Sequence, residues 1–108
     1  MNISTQHKEF INNALIEWWG WDNNGVKYLH RDNGPAYIVY YLEIEESSVF
    51  SESYHYNNLC HRLDGPAVIY YNEDGSIREQ WYCLLGRDIP KLDFDKPGFI
   101  DAFVIEHS

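Results

Sequence analysis

Apolar and polar positions along this chain change rhythm from one end to the other, and each rhythm predicts a different element. Over residues 5–19, Phe10, Ala14 and Trp18 recur every four positions, with Ile11 and Leu15 widening the stripe. That spacing predicts an amphipathic helix capped by Ser4 or Thr5. Trp18, Trp19 and Trp21 equally suit the start of a strand. From Tyr37 the apolar positions become nearly contiguous, through Ile38, Val39, Tyr40, Tyr41, Leu42 and Ile44. That density of β-branched and aromatic residues predicts a central strand. The acidic stretch Glu43, Glu45, Glu46, with Ser47 and Ser48, reads as its solvated end and a turn. Residues 49–56 read as a return strand, residues 68–71 as another, and Ile77, Trp81 and Tyr82 as its partner across the turn Asn72-Glu73-Asp74-Gly75. Asp22-Asn23-Asn24-Gly25 and Asn57-Asn58 are further turn signals, because Asn and Gly tolerate positive φ. Near the C-terminus, Asp95 as cap and Pro97 in the first turn predict a short helix with Phe99, Ile100, Phe103 and Val104 inward.

One segment occurs twice. His30-Arg31-Asp32-Asn33-Gly34-Pro35-Ala36 returns as His61-Arg62-Leu63-Asp64-Gly65-Pro66-Ala67, an offset of 61 − 30 = 31 residues. Ile38 then matches Ile69, and Tyr40 matches Tyr71. A fixed period of this size predicts stacked supersecondary units, here strand-turn-strand hairpins. Gly before Pro predicts a constrained turn, with Asn33 or Asp64 bonding its own backbone. His and Arg are expected to bond carbonyls or carboxylates of the neighbouring repeat.

With its aromatic pair, Asp-Gly turn and His-Arg-x-Asp-Gly-Pro-Ala signature, the pattern resembles the MORN-like repeats of bacteriophage, large DNA virus and bacterial proteins. The resemblance covers roughly residues 18–87, and the second copy matches best. It implies an elongated meander in which each repeat adds a hairpin, and it implies little about activity. A third copy would begin at Trp81, but no His-Arg and no Gly-Pro-Ala follow Gly86-Arg87. Two departures stand out: the first aromatic-to-His segment is longer than the second, and residues 42–53 lack the usual Asp-Gly hairpin. The expected organisation is one domain over residues 1–108. It comprises an N-terminal helix (1–20), two to three hairpin repeats (21–87) and a C-terminal capping segment (88–108). The fold class is α+β, mostly β: an antiparallel meander of repeated β-hairpins with a short helix at each end.

Composition narrows the function. The 108 residues hold 8 Lys and Arg against 17 Asp and Glu, a formal net charge of −9. Phosphate neutralisation requires clustered basic residues, and none exist, which argues against direct nucleic-acid binding. No apolar run reaches the roughly 18 residues a membrane span needs, and the polar first residues lack a signal-peptide core. A reducing cytoplasm is the expected location, the host cytoplasm if the protein is phage-encoded. Cys60 and Cys83 read as buried thiols rather than a disulfide framework.

The remaining chemistry is weighed site by site. His30, Arg31, His61 and Arg62 together could embrace a phosphate, which supports a small-molecule or nucleotide-binding alternative. Repetition at each unit fits structural bonding better, since catalytic sites are usually single. His30-Arg31-Asp32 spells the kinase tripeptide, but no Gly-rich loop or metal-binding Asn accompanies it. Cys60, His61, Cys83 and His55 lack zinc-ligand spacing, so no metal and no cofactor is expected. Glu43, Glu45 and Glu46 form an acidic patch, and Tyr40 and Tyr41 belong to an aromatic set too large for one small core. These features predict a non-enzymatic protein-interaction module that uses His30, Arg31, His61, Arg62, Tyr40, Tyr41, Glu43, Glu45 and Glu46. The expected partner is a protein, in its sharpest form a basic host defence enzyme that the acidic chain inhibits. Edge-to-edge self-association is a further expectation.

Overall fold

The computed structural model describes residues 3–12, 14–41 and 48–107, so Glu43, Glu45 and Glu46 lie outside the described residues. The described strands are β1 (Thr5–Ile11), β2 (Ala14–Asn23), β3 (Val26–Leu29), β4 (Tyr37–Tyr40), β5 (Val49–Ser53), β6 (His55–Tyr56), β7 (Leu59–Cys60), β8 (Val68–Tyr71), β9 (Ile77–Leu84) and β10 (Arg87–Ile89). Helices α1 (Lys91–Phe94) and α2 (Phe99–His107) follow. The main sheet runs β1-β2-β4-β5-β8-β9-β10 with β3 also on β2, and β6 pairs with β7. Every pairing is antiparallel. The molecule is a slab of 42 × 38 × 19 Å. Stacked sheets lie about 10 Å apart before their outer side chains are added, so 19 Å holds one sheet with loops and helices against it.

The N-terminal helix expected over residues 1–20 is not formed. Residues 5–11 and 14–20 are instead the two arms of a hairpin, Thr5 opposite Gly20 and Ile11 opposite Ala14. Asn12, at φ 50°, turns the chain. The four-residue stripe is explained by pairing across this hairpin. Trp18 is 4 % exposed because the His7 ring of β1 stacks on it at 3.9 Å. Glu17, also buried, accepts hydrogen bonds from Gln6 of β1 and from Tyr40 of β4. A helix could not bring Gln6 and Glu17, eleven positions apart, side by side. Among the described residues no helix closes this end; β1 is the sheet edge, and the exposed Lys8 on it discourages further pairing.

Both helices lie at the other end. Leu84, Ile89 and Phe94 form the buried apolar cluster, with Tyr82, Phe99, Ile100 and Phe103 packed on it. Phe99, Ile100 and Phe103 pack half-buried on this cluster as their spacing predicted, whereas Val104 lines a surface groove instead. The helix start differs: Asp95 ends α1 as its C-cap, and α2 begins at Phe99. No described helix is long and apolar enough to cross a membrane.

Candidate functional site

The repeat becomes a structural statement once the register is followed. Within each unit one strand enters, turns tightly and returns, and the motif loops out of the returning strand. In the first unit β3 and β4 lie along the same side of β2, with residues 30–36 bulging out between them. Trp19 N–H bonds the Ala36 carbonyl at 2.8 Å, and His30 N–H bonds the Trp19 carbonyl at 3.0 Å. The second unit repeats this with Tyr54 to Ala67 at 2.7 Å and His61 to Tyr54 at 3.0 Å. The longer first aromatic-to-His segment is simply a longer β2–β3 hairpin.

Each motif residue then has a mechanical task. Ala36 and Ala67 are fully buried, because each also donates its N–H to the next strand, to Ser53 and Trp81 at 2.8 Å. A larger side chain has no room between two hydrogen-bonded neighbours. His30 Nδ1 accepts the Asn57 N–H at 2.9 Å, and His61 Nδ1 accepts the Leu85 N–H at 2.9 Å. Asn57 (φ 47°) and Leu85 (φ 48°) each open the tight turn of the following unit. Both imidazoles must therefore be unprotonated at Nδ1 to link one repeat to the next. In His30 the proton then sits on Nε2, where it is donated to Asp32 at 3.0 Å. Burial holds the His61 imidazole below its ordinary value, which keeps the acceptor available.

The arginines close their own loops rather than reaching the neighbouring repeat. Arg31 and Arg62 each donate Nη1 to the carbonyl of the motif proline, Pro35 and Pro66, at 3.1 Å. Their guanidinium carbons lie 3.8 Å from the Trp19 ring centre and 4.0 Å from that of Tyr54, within cation–π range. The motif glycines make way for this. A Cβ on Gly34 or Gly65 would lie 2.9 or 3.1 Å from the guanidinium carbon. In the third unit Tyr82 occupies the place of Trp19 and Tyr54, and the Phe94 ring covers it at 4.6 Å. Helix α1 thus stands where a third motif loop would.

A groove of about 840 Å³ runs between the two motif loops. Residues 31–34 and 61–64 form its walls, Tyr54 and Tyr56 lie between them, and Leu85 and Val104 line it from the C-terminal unit. Tyr56 and Leu63 are exposed there, as is Leu59 beside them in sequence on the same turn. The Tyr56 ring lies 4.7 Å from His30 and 6.1 Å from His61. Asp32 and Asp64 stand at the rim with side chains 75 % and 84 % exposed. The Arg62 guanidinium, bonded to Asp64 at 2.9 Å, holds the Asp64 carboxyl below its usual value.

The sequence-derived candidates therefore separate. Arg31, His61 and Arg62 line this groove, whereas His30 does not and only packs against its Tyr56 ring at 4.7 Å. Several donors a shared phosphate would need are already engaged: Arg62 on Asp64 and Pro66, Arg31 on Pro35, and His30 Nε2 on Asp32. Tyr40 and Tyr41 do not line the groove. Tyr40 donates to Glu17 at 2.7 Å; burial first, then this bond, pushes its hydroxyl up to about 12. Tyr41 donates to the Tyr71 carbonyl at 2.8 Å. Sequence reasoning missed Asp32, Asp64, Tyr56 and Leu63, although the two aspartates sit inside the repeat itself. Cys60 and Cys83 are free thiols, both raised by burial. Among the described residues no group of three or more His, Cys, Asp or Glu is placed to hold a metal ion. No family model, no curated protein and no solved structure matches this chain.

Proposed function

We propose that this chain is a non-enzymatic protein-interaction module that presents the groove between its motif loops to a basic partner. One observation carries the reading. The histidines link the repeats and the arginines close their own loops, whereas large apolar side chains stay exposed near two solvent-exposed carboxylates. Exposed Tyr56 and Leu63, with Leu59 on the same turn, supply apolar contact area of the kind found at interface centres. Asp32 and Asp64 at the rim, within a chain of net charge −9, supply the complement to a cationic surface and speed encounter with it. In its most specific form the partner is a host enzyme whose substrate cleft is basic, and the module inhibits it by covering that cleft. The MORN-like resemblance makes a phage origin the setting for that form.

The test is capture from bacterial lysate by the tagged chain, compared with the Asp32→Asn/Asp64→Asn variant and with Tyr56→Ala. The reading expects one protein with a basic surface, bound at low salt, released at high salt, and lost from the carboxylate variant. Equal capture by wild type and both variants, or none by wild type, overturns it.

A further inference from the structure

The two motif loops share their backbone bonding but differ at two positions, Asp32 against Leu63 and Asn33 against Asp64, and the second difference decides what each arginine meets. In the second loop Arg62 uses two donors: Nη1 holds the Pro66 carbonyl at 3.1 Å, and Nε holds the Asp64 carboxylate at 2.9 Å. In the first loop Arg31 makes the corresponding bond to Pro35. The residue aligned with Asp64 is Asn33, and among the described residues no carboxylate meets the Arg31 guanidinium. The nearest candidate in sequence, Asp32, is bonded to His30 instead. The second loop therefore displays what fits the first: a carboxylate oxygen about 3 Å from Nε, the distance usual for a charge-assisted bond.

We propose that Arg31 is a receptor for a carboxylate supplied from outside the chain, an aspartate or glutamate side chain of a bound protein. The guanidinium is already oriented: Trp19 underlies it at 3.8 Å, the Pro35 carbonyl anchors one edge, and Gly34 packs so close that a Cβ there would lie 2.9 Å from the guanidinium carbon. Binding thus orders little that is not already ordered. The site opens on the groove, where, among the described residues, Arg31 is the lining arginine that no carboxylate pairs. Such a cation fixes the register of a partner more than it adds affinity. This rests only on the comparison of the two loops and stands whether or not the partner is basic overall.

The experiment follows the arginine Nε–Hε resonances by NMR while acetyl-aspartate amide is added as the probe. The wild-type chain should show a saturable shift at Arg31 and none at Arg62. Asn33→Asp should shift the Arg31 resonance without probe and abolish its response, because the loop now fills its own site. Asp64→Asn should make Arg62 respond as Arg31 does, doubling the number of responding arginines. A linear drift at both arginines, or an unchanged Arg31 response in Asn33→Asp, overturns the proposal. A larger saturable response to inorganic phosphate than to the aspartate probe also overturns it, in favour of a phosphate site. These outcomes are independent of the lysate capture, so either reading can fail alone.

Discussion

Replacing Gly65 by Ala isolates the contact that shapes the motif loop. Gly65 is not at positive φ, so its backbone does not itself demand glycine. In such a place Gly→Ala normally stabilises by about 0.4–1 kcal/mol, because the unfolded chain loses freedom. Here the new Cβ would meet the Arg62 guanidinium carbon at 3.1 Å and its Nε and Nη1 at 3.3 Å. The guanidinium must shift, and every direction trades against the Tyr54 ring at 4.0 Å, the Pro66 carbonyl at 3.1 Å or Asp64 at 2.9 Å. Stacking of this kind contributes about 0.5–1 kcal/mol, and a charged donor on a carbonyl about 1.5 kcal/mol or more. The Asp64 pair adds little, since that carboxylate is exposed. Losing most of this against the unfolded-state gain leaves a net cost of about 1–2 kcal/mol. For a chain of this size that lowers the melting temperature by roughly 5–10 °C. In an Arg62→Ala background the obstacle is gone, and Gly65→Ala should become neutral or stabilising by about 0.5 kcal/mol. Urea unfolding of the four proteins in the cycle reads the coupling directly, at about 2 kcal/mol. Equal cost of Gly65→Ala with and without Arg62 would refute the reasoning.

Three further outcomes follow from the same geometry. His61 and His55 are both held below their ordinary value by burial. The unfolded chain therefore binds more protons than the folded one from about pH 6.5 downward, and stability should fall as pH drops from 7.5 to 5.5. His61→Gln should weaken that slope, and a urea midpoint independent of pH contradicts the imidazole link. Gly20 sits at φ 150°, and a Cβ there would lie 1.8 Å from the Tyr28 carbonyl oxygen; Gly20→Ala should cost more than about 4 kcal/mol. A folded Gly20→Ala chain with native amide dispersion would show that the β2–β3 approach is misjudged. Phe94→Ala removes the ring that covers Tyr82 and should cost about 3 kcal/mol while raising the exposure of Tyr82 to solvent quenchers. A loss under about 1 kcal/mol would mean that α1 does not hold that end of the sheet.

The repeat was legible because identical residues in matching positions do identical work. His30 and His61 each meet a turn N–H, and Ala36 and Ala67 each fill a space without margin. The turns at Asn24-Gly25 and Asn57-Asn58 were legible for the same reason, since positive φ restricts the residues that occupy it. The N-terminal hairpin was not. Phe10, Ala14 and Trp18 mimic a helical stripe, and only the partners reveal the strand: His7 on Trp18, Gln6 and Tyr40 on Glu17. The signal that could have found it is Asn12, which turns at positive φ as Asn57 does, lying inside the supposed helix. The site was half legible. Most motif residues line the groove, but the weight of the Asn33-for-Asp64 difference shows only when the loop geometry brings Asp64 onto Arg62. Arg31 and Arg62 look equivalent until Asp64 is seen to bond one of them, with Asn33 in the matching place of the other.

The replacement of the motif at the third turn carries a consequence for growth. Ile89, paired with Tyr82 as His61 is with Tyr54, lacks the imidazole acceptor that would receive another turn. Pro90 then leads the backbone into α1. Termination is thus written in two adjacent positions, while everything before them presents the same backbone groups to whatever comes next. A chain built this way can change length by whole hairpins, with its start and its closing helices undisturbed. The distance between its first edge and its last is then an adjustable dimension of the molecule rather than a fixed property of the fold.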